Sequence, residues 1–61
     1  MVDDLERHTF AMALIQQHGD GVEVHIATKL GEQAVAGDQG GFDFWKDIAA
    51  RVDGILRGTE Q

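Results

Sequence analysis

The sequence predicts an all-α domain, a compact up-down-up three-helix bundle with helices over roughly 4–18, 21–36 and 39–57. Three observations predict it. Apolar residues recur at spacings of three and four along most of the chain, which is the period of a helix with one buried face. Glycine–aspartate clusters at Gly19-Asp20-Gly21 and Gly37-Asp38 divide the pattern in three. There is no Pro, and an Asp stands at the head of each segment as a helix cap.

The first helix begins near Asp4 and ends at His18. Asp3 followed by Glu6 has the spacing of a capping box, in which each side chain satisfies a free backbone N–H near the helix start. His18 lies at the C-terminal end, where a cation is favoured. Leu5, Met12 and Ile15 make one apolar stripe. Phe10 and Leu14 make a second, about half a turn away, with Ala11 between. One small core can hardly take both stripes, so part of this surface is a candidate interface.

The second helix starts at Gly21, with Asp20 and Glu23 as its capping box. Val22, Ile26, Leu30 and Ala34 form its buried stripe, and Ala27 and Gly31 widen it. The small pair Ala27 and Gly31 is expected to let a neighbouring backbone approach closely. Val22 to Ile26 also alternates as a strand would. A strand needs a partner, no second alternating run exists, and the helix is preferred.

The third helix carries the clearest stripe: Trp45, Ile48, Ala49, Val52, Ile55 and Leu56. It is expected to be buried against the wide face of the second helix, headed by the chain's one Trp. Asp38 is the favoured cap. Asp43 is the alternative, with 37–42 as a loop, because Gly40 and Gly41 each cost about 1 kcal/mol in a helix interior. Phe42 and Phe44 sit at the two edges of the stripe and join Phe10 and Leu14 as candidate interface residues. Gly58 ends the helix, and residues 59–61 are expected to fray.

Sixty-one residues allow one domain, covering 1–61. Below about 70–80 residues a single core rarely supplies more than about 3–5 kcal/mol, so disulfides, metals or oligomerisation are common supports. Without Cys, disulfides and thiolate zinc sites are excluded, and a reducing cytoplasm is the expected location. A net charge of −6 repels phosphate backbones, so no nucleic-acid partner is expected. No apolar run is long enough to cross a bilayer, and the acidic N-terminus does not resemble a signal peptide.

Catalytic constellations are also missing. There is no Ser, Cys or Tyr, so an enzyme lacks an evident nucleophile. Asp43, Asp47 and Asp53 read as a solvated face balanced by Lys46, Arg51 and Arg57. Gly19-Asp20-Gly21 and Gly40-Gly41 lack the Lys-Ser/Thr context of a phosphate loop and read as turns. His8, His18 and His25 are the only imidazoles, with no HExxH and no pair four residues apart. His18 reads as a helix-end residue and His8 and His25 as exposed. No metal or other cofactor is expected.

Several fragments carry a resemblance: Ala11-Met12-Ala13-Leu14, His18-Gly19, Ile26-Ala27, Leu30-Gly31, Ala36-Gly37-Asp38, Trp45, and Ala49-Ala50-Arg51-Val52-Asp53. In order and spacing they resemble an uncharacterised family of short alphaproteobacterial helical proteins, a domain of unknown function. The resemblance spans Phe10 to Leu56. This chain departs from that pattern in having Phe10 in place of a Trp and in the paired Gly40-Gly41. The resemblance implies a bacterial cytosolic helical protein and lends no activity or ligand. The expected function is a non-enzymatic interaction module that associates with itself or with another protein. The alternative is a metal- or small-ligand-binding regulator using His18 and His25.

Overall fold

The order of elements follows from two tight corners, each built around a glycine. The computed structural model describes residues 4–58. Within them α1 spans Asp4–His18, a 3-10 turn spans Gly19–Gly21, α2 spans Val22–Ala36 and α3 spans Gln39–Arg57. The protein is all-helical, with no strand among the described residues. Residues Val22 to Ile26, which alternate in sequence, are the start of α2. The Asp3 cap and the frayed tail 59–61 lie outside the described residues.

The first corner differs from the expected one. No extended loop separates α1 from α2, because the 3-10 turn Gly19–Gly21 joins them directly. The path turns at Gly19, whose φ is +54°, a conformation glycine adopts without a Cβ penalty. α2 starts at Val22 rather than Gly21, and its N-cap is Gly21, with no side-chain hydrogen bond. Asp20 is therefore not the cap. Its position lies inside the 3-10 turn, and a box with Glu23 cannot form when the flanking backbone is already helical.

The second corner is as read, and tighter. Gly37, at φ +73°, closes α2. Its N–H donates to Ala34 O and that of Asp38 to Gln33 O, at 3.2 and 3.0 Å. These are the two bonds of a Schellman motif. Asp38 then caps α3: its carboxylate accepts from the Gly41 N–H at 3.0 Å. One residue thus closes one helix with its backbone and opens the next with its side chain. Asp43 is not the cap and accepts from Gln39 Nε2 instead, at 2.9 Å. Gly40 and Gly41 lie in the first turn of α3, not in a loop.

The core is narrow. Ala11 and Leu14 from α1, Val22 and Ile26 from α2, and Ile48 and Val52 from α3 are buried. Ile15, Leu30, Phe44, Trp45, Ala49 and Ile55 pack around them. α3 touches both other helices. Of its stripe Ile48 and Val52 are buried and Ala49 and Ile55 half-buried against them, and the two ends differ from expectation. Trp45 is half-buried, so Ile48 is the centre, and Leu56 is 49% exposed.

On α1 neither apolar stripe is buried intact. The core takes the arc between them, Ala11, Leu14 and Ile15, and leaves Leu5 and Met12 exposed. On α2 the widened face is corrected too. Ala27, Gly31 and Ala34 are exposed. A Cβ at Gly31 would meet nothing within 4 Å, so no backbone approaches there.

Candidate functional site

Two surfaces stand out, one on each flank of α3. Side chains two positions apart on a helix point to roughly opposite sides. Phe42 and Phe44 are therefore divided between them, and the four candidate interface residues do not form one patch. Leu14 is 5% exposed and belongs to the core.

The first surface is an aromatic row. The Phe10 ring lies 5.7 Å from Phe44 and 5.6 Å from Trp45, and Phe44 meets Trp45 edge-on at 5.7 Å. His25 continues the row edge-on to Trp45 at 6.0 Å, and His18 stacks on His25 at 4.1 Å. Such pairs add about 0.5–1.5 kcal/mol each beyond area burial. Phe10, at 37% exposure, is at the margin of this row, held by rings from α3.

An ionic chain borders the row. The Arg7 guanidinium stands 5.2 Å over the Phe44 ring. Arg7 Nη1 donates to Asp47 Oδ2 at 2.9 Å and Arg51 Nε to the same oxygen at 3.0 Å. Arg51 Nη2 reaches Asp4 Oδ1 at 2.9 Å. The hydrogen bonds from Arg7 and then Arg51 hold the Asp47 carboxyl below its usual range. Asp47 thus ties α1 to α3 and is not part of a solvated acidic face. Arg57 pairs with Asp53 at 2.9 Å, the local compensation expected on α3.

Sequence reasoning brought His18 and His25 together only as a ligand-binding alternative and missed that their rings stack. His25 was expected to be exposed and is half-buried. The signal was present in that the two imidazoles flank the Gly19-Asp20-Gly21 corner, one at the end of α1 and one in the first turn of α2. The bend at Gly19 then brings the rings together. Partial burial first, then the facing His18 and nearby Lys29, lower the His25 pKa below its ordinary value, with Glu32 opposing. The ring planes lie 18° apart. Nearly parallel rings cannot both aim an in-plane nitrogen lone pair at one ion, so the pair as placed is a stack and not a chelate. No group of three or more metal-ligating side chains occurs among the described residues.

The second surface is the seam between α2 and α3. It opens into two depressions of about 280 Å³ each. One has Ile26, Leu30 and Val52 as its floor, Ala27 and Ala49 as walls, and Glu23 and Asp53 at its rim. The other lies at the Gly37–Asp38 corner against Gln33, Ala34 and Phe42. Beside the seam, the outer face of α2 carries Val24, Ala27, Thr28, Gly31, Ala34 and Val35, all exposed and none ionisable. Val24 is 71% and Val35 91% exposed.

A family model, described as a family of unknown function (DUF6961), matches residues 3–59. The chain belongs to this family. The match takes in all of α1, α2 and α3, and so both surfaces, within one family unit. No curated protein and no solved structure matches the chain. Membership assigns no chemistry, so the function is argued from the surfaces themselves.

Proposed function

We propose that this protein is a non-enzymatic protein–protein interaction module of the bacterial cytosol. Its three helices are read as an up-down-up bundle that presents α2 to a partner. The observation that carries the reading is the outer face of α2. It is an exposed strip three turns long without an ionisable residue, on a chain of net charge −6. Contiguous uncharged apolar surface on a small soluble domain marks a contact site more often than chance exposure. The narrow core supports the same reading, since a domain of this size gains stability from a bound partner. The absence of Cys fits a reducing compartment. No helix among the described residues is long and apolar enough to cross a membrane.

Light scattering on the purified chain and tagged co-purification from its own cells test the proposal together. The expected result is a dimer or a stoichiometric partner, lost in a Val24→Glu/Val35→Glu variant. Both side chains are exposed, so that variant keeps its fold and melting temperature. A chain that stays monomeric near millimolar concentration and retains no stoichiometric partner refutes the reading.

A further inference from the structure

We propose that the α2–α3 seam is a docking groove for a cationic amphipathic helix of a partner protein, an inference that rests on the interaction-module reading. The two depressions lie in line. On α2 they are lined by Glu23, Ala27, Leu30 and Ala34, which follow one another at spacings of four, three and four. On α3 they are lined by Phe42, Ala49 and Asp53, at spacings of seven and four. Each set is a single helical stripe. The groove therefore runs along the seam for the twelve residues from Glu23 to Ala34, about 16 Å at the helical rise. That length accepts three turns of a docked helix with apolar anchors at i, i+3 or i+4, and i+7.

The walls suit a helix. Ala27, Ala34 and Ala49 project little, and open Gly31 stands beside them, so a second helix can approach closely over Ile26 and Leu30. The charges choose its sign. Every ionisable side chain lining the two depressions is acidic, Glu23 and Asp53 at one end and Asp38 at the other, while the exposed Lys46 stands on the α3 stripe between them, four residues after Phe42 and three before Ala49. Asp53 is paired with Arg57. Glu23 and Asp38 make no ion pair among the described residues; the Asp38 carboxylate is engaged as the α3 cap, so negative charge stands at both ends and is freest at Glu23. An occupant with an apolar stripe and a Lys or Arg at each end matches this pattern. A second copy of the chain carries a net charge of −6 and is a poorer electrostatic match, and a phosphate-bearing surface is repelled likewise.

The probe is a synthetic eighteen-residue Leu/Lys/Ala peptide with Leu on one helical face and Lys at both ends. Its control is the same peptide with Glu for Lys. Each is titrated into ¹⁵N-labelled full-length chain at low salt. The Lys peptide should shift the amides of Ala27, Leu30, Ala49 and Asp53 and bind at least tenfold tighter than the Glu peptide. Its affinity should fall about tenfold in Glu23→Lys, an exposed position whose unchanged spectrum elsewhere shows an intact fold. Equal affinity for both peptides, shifts centred on Phe10 and Trp45, or no binding at 1 mM overturns the groove. A native partner lost in Val24→Glu/Val35→Glu but unaffected by Glu23→Lys also overturns the groove while leaving the module reading in place. If no partner exists at all, the module reading fails and the groove's role as a partner site with it, whereas failure of the peptide titration alone overturns only the groove.

Discussion

Gly40 and Gly41 are neighbours in the first turn of α3, yet replacing them with Ala should move stability in opposite directions. An Ala added to a helix gains about 0.5–1 kcal/mol over Gly by reducing unfolded-state entropy. At Gly40 a Cβ would find only Asp38 Oδ1, at an ordinary 3.8 Å. Gly40→Ala should therefore gain most of that amount. At Gly41 the Cβ would lie 2.8 Å from Asp38 Oδ2 and 2.9 Å from Gln33 Cδ, and closer still to Gln33 Oε1. Gln33 is a flexible side-chain end and can swing away at little cost. Asp38 cannot, because the same carboxylate accepts the Gly41 N–H. Moving it gives up a cap worth about 0.5–2 kcal/mol. At the middle of these ranges the cap term wins: Gly41→Ala is destabilised by up to about 1.5 kcal/mol, and the two variants differ by the cap term, about 0.5–2 kcal/mol. Urea unfolding followed by circular dichroism at fixed pH resolves such a difference. Adding Gln33→Ala should relieve Gly41→Ala only slightly if Asp38 is the obstacle. Equal stabilisation by both glycine replacements would refute the close approach and, with it, the cap geometry.

Further outcomes follow from the same geometry. Gly31→Ala should raise stability by about 0.5–1 kcal/mol, because its Cβ enters open space within α2; a thermal melt showing a loss would mean that a neighbour occupies that face. The His25 pKa is lowered in the fold, so its stabilising contribution is complete above the ordinary 6.5 and is lost as pH falls through the lower folded value. Melting temperature should thus decline on acidification below pH 6.5, and His25→Phe, which keeps a ring against Trp45, should flatten that limb; parallel profiles would count against the stack. The Asp47 pKa is likewise lowered, so its contribution is complete above the ordinary 3.8 and disappears as pH falls below it. Asp47→Asn should melt lower at neutral pH and lose less on approach to pH 3, whereas an unchanged neutral melting point would show that the Arg7 and Arg51 bonds contribute nothing.

How much was legible in the sequence depended on whether local chemistry sufficed. α3 was readable from end to end, because Asp38 caps it and the stripe through Ile48 and Val52 is periodic enough to have one buried side. The Gly37–Asp38 corner was readable for the same reason: a glycine beside a capping residue has few other roles. Asp20 misled because Asp four residues from a helix interior looks like a cap whether the preceding backbone is extended or already helical. Of the candidate interface residues, Phe10 and Phe44 meet each other, Phe42 lies on the opposite flank, and Leu14 is buried.

The sequence by itself determined that this chain is helical, where the helices run within a residue or so, and which side chains it lacks. These follow from composition and from interactions within a few residues along the chain. Only the tertiary structure decided which arc of α1 enters the core, that His18 stacks on His25, that Asp47 joins α1 to α3, and that Gly31 faces open space. Each of these depends on the angle at which one helix meets another. That angle is set by the bend at Gly19 and by the packing of Ala11, Ile26 and Ile48, residues far apart in sequence that no local pattern places together.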